Sequence, residues 1–386
     1  MKLIYQNFDA LELAFQCAVP IKILSVLENA KREAQEARGH VYAEIGPNKL
    51  PILVHEIGAK GGFQYQFNTG PEGAIWLISN KESRNEWNVR VRVSSLCLAL
   101  NGVRKTQDII LKTLYNDLLA KGPDDNDHKP RERVSRFDYC LDFLFEEKPN
   151  FSQFNFVCAG RVKKLITRDI PVHEESTGQS VNYIRVGKLP NRQIVIYNKI
   201  TEISASSKIY WWRIWKLNKA DIKGEIWRIE IRAGKKELNK WNLRRFEDFE
   251  EMAGDVIKTT LEEYQYTIPN LEDKNRNRWP MSPIWENVIA AVKRDLFDYI
   301  SDANRNAIIK ELREAVIDRY QKLISGVFVG YTAATGKDIS EIPGVLDLVS
   351  AQILDEVSNN PQKFRQKYKK KLDKFSFYED KEIPEN

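Results

Sequence analysis

The sequence predicts an α+β fold: a curved antiparallel sheet forms a catalytic core, and a mainly helical C-terminal region follows it. Three observations predict this. Apolar and polar residues alternate with a period of two within 41–93 and again within 133–232; helical spacing follows the first stretch at 104–121 and interrupts the second near Ser152–Lys164; and helical spacing takes over from about Glu237. The pattern is that of two strand–helix units in tandem, although no repeat recurs at a fixed period.

Residues 1–40 read as a small N-terminal helical element, with Leu11, Leu13, Ala14, Ile21, Ile23, Leu24 and Leu27 ahead of the charged stretch Lys31–Arg38. The first strand-rich unit, 41–125, contains alternating stretches at Gln64–Phe67 and Asn88–Val93, with turns supplied by Gly61-Gly62 and by Asn68 to Gly73. Its helix runs through Ile109, Ile110, Leu114 and Leu118 and stops at the hydrophilic loop Gly122–Asp127. The second unit, 126–240, has strands at Arg133–Phe145, Val181–Val186, Gln193–Lys199 and Glu225–Arg232. Residues 241–386 are expected to be a mainly helical DNA-binding region, with helices at Phe246–Leu261, Ile284–Ile300, Arg305–Leu323 and Val345–Val357, one strand at Tyr264–Ile268, and a basic C-terminal segment.

With 386 residues, 42% of them hydrophobic, the chain can bury the cores of two or three domains. A net charge of +6 is compatible with a phosphate-rich partner without requiring one. Cys17, Cys97, Cys140 and Cys158 include no C-x-x-C pair, which argues against a zinc ribbon or a disulfide scaffold and for reduced thiols. The first residues lack the apolar core of a signal peptide, and no run approaches the ~18 apolar residues of a membrane span. A cytoplasmic protein with no membrane partner is expected.

Read as a strand, Arg136–Phe143 places Arg136, Asp138, Cys140 and Asp142 on one face, so two carboxylates lie side by side. In Glu225–Arg232 the outward residues are Arg228, Glu230 and Arg232, a carboxylate between two guanidinium groups. The strand Gln193–Lys199, continuing to Glu202, sets Tyr197 and Lys199 on one face. A phenol with a pKa of about 10 attacks poorly until a cation or a base favours its phenolate, which Lys199 is spaced to do. Carboxylates from separate strands can hold Mg²⁺ or Mn²⁺, and two arginines can neutralise charge developing on a phosphate. The competing reading is an ordinary open sheet face laced with solvated ion pairs.

Taken in order, Arg136–Asp142, then Ile196-Tyr197-Asn198-Lys199 with Glu202, then Trp227–Arg232 resemble the trans-acting replication initiation factors of rolling-circle plasmids and the related relaxases of integrative elements and phages. The likeness covers roughly 130–240, and Ser180–Lys188 is similar to the short strand, glycine and basic residue that precede the family's tyrosine strand. The resemblance implies that Tyr197 attacks DNA, assisted by Lys199, Arg228 and Arg232. It assigns the divalent metal to Asp138 and Glu230, with Asp142 and Glu202 as second choices, and Arg136, Arg185 and Lys188 to DNA contact. It also implies an origin or transfer-origin substrate, single-stranded or in a hairpin, a host helicase and a homodimer. The alternative is a non-catalytic DNA-binding replication or regulatory protein.

Other motifs carry less. His40, His55, His128 and His173 never come within two positions of one another, which disfavours the nickases that cradle a metal with His-x-His. Gly330–Asp338 is not a P-loop: five residues separate Gly330 from Gly336, and Asp338 stands where Ser or Thr would bind Mg²⁺. Trp211-Trp212-Arg213-Ile214-Trp215 reads either as a base-stacking surface or as a packed strand edge. Arg276, Arg278 and Trp279 either contact DNA or cap a helix, and Lys367 and Lys370 within Lys363–Lys374 would follow a phosphate backbone.

Overall fold

The chain begins with a fifteen-residue strand, β1 (Lys2–Gln16), and a helix, α1 (Ile21–Glu36). A meander follows: β2 (Val41–Ile45), β3 (Leu50–Val54), β4 (Tyr65–Asn68), β5 (Ala74–Ile78) and β6 (Val89–Val93). Helix α2 (Ser95–Lys112) starts where the Ser94 side chain accepts a hydrogen bond from the Cys97 N–H, a standard N-cap. Next come β7 (Arg131–Phe145), the short β8 (Phe156–Cys158), β9 (His173–Thr177), β10 (Ser180–Gly187) and β11 (Arg192–Asn198). Helices α3 (Lys199–Ser206) and α4 (Trp211–Trp215) separate β11 from β12 (Glu225–Gly234). Helices α5 (Lys235–Lys240) and α6 (Phe246–Glu263), strand β13 (Tyr264–Tyr266) and helix α7 (Pro283–Ala291) follow, and the chain closes with α8 (Arg305–Ala334), α9 (Ile342–Asn359) and α10 (Pro361–Phe375). This computed structural model describes residues 1–79, 86–123, 129–158, 173–177, 180–292 and 295–378.

Eleven strands form one open antiparallel sheet in the order β2-β3-β4-β5-β6-β1-β7-β12-β11-β10-β9, and β8 pairs with β13 apart from it. Segments 1–40, 41–125 and 126–240 therefore contribute to the same sheet, with β1 between β6 and β7 as the seam. The fold is α+β, as expected. One sheet face is apolar: Leu11 and Leu13, Val89 and Val91, Phe137 and Leu141, and Ile229 and Ile231 join one core with residues of α1, α2 and α6. Phe8 is fully buried against Phe137, Tyr139, Phe249 and Phe297, and a side chain so buried contributes about 1.5–3 kcal/mol. Met1–Ser206 with Trp211–Ala303 forms one compact unit; Ser207–Tyr210 with Asn304–Asn386 forms a second, built on α8, α9 and α10 around buried Ile308, Thr332 and Val345.

Five local expectations are corrected. Residues 2–16 are strand, not helix: at the centre of a sheet covered on both faces a strand loses its clean polar alternation, so its period is hard to read. The tyrosine strand stops at Asn198 and does not reach Glu202, because the Asn198 side chain accepts the Thr201 N–H and starts α3. Trp211–Trp215 is helical and not a strand edge. Near Ser152–Lys164 the described residues form a 3₁₀ turn, Gln153–Asn155, and then β8; the rest of that expected helix lies outside the described residues. In addition, the helix expected over Ile284–Ile300 ends at Ala291.

Candidate active site

On the sheet face opposite the main core, strand register brings the predicted residues into rows. Asp142 of β7 lies opposite Arg228 of β12, and Arg228 lies opposite Tyr197 of β11, which in turn faces Tyr183 of β10. In the next rows Cys140 faces Glu230, and Asp138 faces Arg232. The alternation read from the sequence therefore holds for β7, β11 and β12. This face is not an open, solvated one: Arg228 and Asp142 are fully buried, and Asp138, Lys199 and Glu230 are 2%, 2% and 3% exposed.

Arg228 anchors the arrangement. Its Nε and Nη2 donate to the two oxygens of Asp142 at 2.6 and 2.7 Å, and its Nη1 donates to Asp9 at 2.5 Å. Trp215 Nε1 donates to Asp142 at 2.8 Å, and the guanidinium lies 4.2 Å from the Trp211 ring centroid. Burial opposes the charge on Arg228, but Asp142 and Asp9 more than offset it and hold its pKa well above the ordinary value. Asp9 reaches this position because β1 carries one extra residue there: Phe8 pairs with Tyr139 and Ala10 with Asp138, so Asp9 is bulged and re-aimed.

The second cluster is acidic and basic by turns. Arg136 forks onto Asp138, with Nε at 2.8 Å, and Arg232 Nε donates to Glu230 at 2.7 Å. Asp138 is pushed up by burial and by the charge of Glu230, whereas on Glu230 the charge and hydrogen bond of Arg232 overcome burial and hold it down. Two buried carboxyl groups thus share two guanidinium groups, with Arg232 Nε also 3.7 Å from Asp138. Tyr197 stands beside them, its hydroxyl donating to Glu230 Oε2 at 3.4 Å. Burial, and then the charges of Glu230, Asp9 and Glu202, raise the Tyr197 pKa against the pull of Arg228, which favours the neutral phenol. Lys199 is the first residue of α3 and not a strand neighbour, yet its ammonium lies 5.5 Å from the Tyr197 ring centroid; burial and Arg228 lower its pKa.

The remaining predicted residues divide. Both oxygens of Asp142 are engaged by Arg228, and Glu202 is ion-paired to Lys199 at 2.6 Å, so each is neutralised by a neighbouring cation. Arg136 is tied to Asp138. Arg185 is half-buried on β10 with an unpartnered Nε, and Lys188 is exposed in the turn before β11. Arg276 donates to the carbonyls of Phe154 and Phe156 and packs on Trp279, which is buried and donates to the Asp273 carbonyl. That pair is a local strap, because its polar atoms and rings are turned inward; Arg278 is exposed, 3.9 Å from Asp273. Lys367 and Lys370 are exposed on α10 in the second unit. Asp9, Tyr5, Trp211 and Trp215 were not anticipated at the site. The period of two in Leu11, Leu13 and Phe15 is blurred by the apolar Ala10 and Ala14 on the other face, so spacing alone does not bring Asp9 to the sheet.

Asp138 and Glu230 are the adjacent buried carboxyls on which a divalent cation would draw, but Arg136 engages both oxygens of Asp138 and Glu230 accepts from Arg232 and Tyr197, so a cation there would have to displace those partners; Mg²⁺ is commonly held by one or two carboxylates together with substrate phosphate oxygens. Among the described residues no group of three or more His, Cys, Asp or Glu is gathered for a metal.

The sequence matches no protein-family model and no curated protein. Among solved structures, a rolling circle replication initiator protein from Geobacillus stearothermophilus superposes with a TM-score of 0.41 at 12% identity, over 74% of this chain and 96% of that one. Among the described residues no helix is long and apolar enough to cross a membrane.

Proposed function

We propose that the protein is a rolling-circle replication initiator or related relaxase that nicks and rejoins one DNA strand through Tyr197. The observation that carries this reading is the Tyr197 hydroxyl set against Glu230, opposite Arg228 and beside the Asp138–Glu230 pair on a water-poor face. Tyr197 Oη attacks the phosphorus and its proton passes toward Glu230; the O3′–P bond breaks and leaves a free 3′ hydroxyl and a 5′-phosphotyrosine. Rejoining is the reverse, with the 3′ hydroxyl expelling Tyr197 and no nucleotide consumed. Arg228 and Lys199 offset the negative charge that reaches the phenol oxygen, and Arg232 keeps Glu230 ionised and oriented. Mg²⁺ or Mn²⁺ held by Asp138 and Glu230 would supply Lewis-acid polarisation of the phosphate. Unwinding would come from a separate helicase.

The test is incubation of wild-type protein and Tyr197→Phe with labelled single-stranded and hairpin DNA plus Mn²⁺ or Mg²⁺, followed by denaturing electrophoresis. A protein–DNA adduct is expected that disappears in the variant and with chelator. DNA binding without any adduct in the wild type would instead favour a binding-only protein.

A further inference from the structure

The face that carries Tyr197 continues past Arg136. Glu12 pairs with Arg136 but Leu13 pairs with Val134, so Ser135 is an extra residue in β7. Val134 is fully buried in the core, which returns Arg133 to the face of Asp138 and Arg136. Arg133 lies opposite Ala14 of β1, and the other partner of Ala14 is Arg90 of β6, so two guanidinium groups flank one methyl group. Burial, and then the charge of Arg244, lower the pKa of Arg133; burial, Arg133 and Arg90 do the same to Lys235. These cations repel one another in the folded protein. The Nε atoms of Arg90 and Arg133 are buried without a hydrogen-bond partner, and the side-chain bond Arg133 does make is to the neutral amide of Asn239. Among the described residues no acid lies within ion-pair distance of Arg133 or Arg244.

The cluster opens into a cleft of about 1080 Å³ whose walls include Trp87, Lys129, Arg133, Arg244 and Arg245. Arg133 lies 5.7 Å from the Trp87 ring centroid. Among the described residues the acids in its wall are Glu132 and Glu247, and the Glu132 carboxylate is spent on the Gln107 amide and the Phe246 N–H. A cleft that gathers cations around an aromatic ring suits a polyanion with flat bases.

We propose that this cleft binds a single DNA strand, with backbone phosphates on Arg133 and Arg244 and a base stacked on Trp87. The inference builds on the proposed function in taking the bound strand as the one presented to Tyr197. The test is fluorescence anisotropy of a labelled single-stranded oligonucleotide with full-length Tyr197→Phe protein, at ionic strengths from about 50 to 200 mM, a range over which phosphate contacts are strongly weakened. Added Arg133→Gln and Arg244→Gln should weaken binding at least about tenfold. The slope of log affinity against log salt should fall by about 1.4, or 0.7 per lost contact, while Arg133→Lys with Arg244→Lys should retain most of the slope. Trp87→Ala should weaken binding about fivefold or more with the slope unchanged. If the glutamine pair lowers the melting temperature, Lys129→Gln with Arg245→Gln carries the same test. Wild-type affinity and slope in all variants overturn the proposal, as does inorganic phosphate that displaces the strand better than chloride of equal ionic strength, which would make the cleft a small-anion site. The adduct assay on protein with intact Tyr197 is read separately: absence of adduct with a reduced slope sinks the nickase reading and leaves the cleft, and the converse does the opposite.

Discussion

At the scale of single residues, Arg228 governs both stability and chemistry. Removing it leaves Asp142 charged, fully buried and without its fork, so Arg228→Ala should lower unfolding free energy by about 3–5 kcal/mol in urea titrations, whereas a fully exposed arginine would cost almost nothing. His55 predicts a pH effect. It is packed against His40, with Nδ1 3.0 Å from His40 Nε2, and burial, then the His40 charge, push its pKa down to about 4. An unfolded histidine titrates near pH 6.5. Between about pH 6.5 and 4 the unfolded chain therefore binds more protons, and this contribution to stability is complete above that window and lost as pH falls through it. After allowing for solvent screening of this partly exposed ring, the loss from pH 7 to pH 5 should be about 1 kcal/mol. His55→Gln should flatten that part of the stability profile; an unchanged profile would assign the effect to other groups.

At the scale of elements, the hairpin β10–β11 presents Tyr197, and its turn depends on Gly187. That residue has φ +87°, and a Cβ there would collide with the Arg192 carbonyl. Gly187→Ala should lower the melting temperature and, through loss of register at Tyr197, reduce adduct yield; a variant that melts and reacts like wild type would show that the turn has another solution. The same scale shows what could be read in the sequence. Strands β7, β11 and β12 were legible because a two-faced sheet with aromatics on one side and ions on the other keeps a strict period of two, and with them came Tyr197, Asp138, Arg228 and Glu230. The cover of the site was not. Strand β1 is buried on both faces, α4 is a single short turn of helix whose tryptophans read equally as strand, and the bulge that aims Asp9 depends on pairing between residues about 130 positions apart.

At the scale of the whole chain, α10 in the second unit carries the basic run Lys363–Lys374, and its cations are remote in sequence from the proposed chemistry. Replacing Lys363, Lys367 and Lys371 by Gln should reduce the salt slope of DNA binding by up to about 2, at about 0.7 per contact, and leave single-turnover adduct formation at saturating DNA unchanged. An unchanged slope would mean that α10 is a solvated helix that does not touch DNA.

The seam strand has a further consequence for how the chain comes to be folded. During synthesis β1 is made early, but one neighbour, β6, follows some seventy residues later, and the other, β7, more than a hundred. Until both have been made, the fifteen-residue strand has an unsatisfied edge, and closing the sheet requires long loops to be ordered before the contacts reward it. The segment can mispair until β6 and β7 have been made, and β7 in turn waits about eighty residues for β12, so the face that joins Asp138 and Asp142 to Arg228 and Glu230 is completed only after the seam has closed.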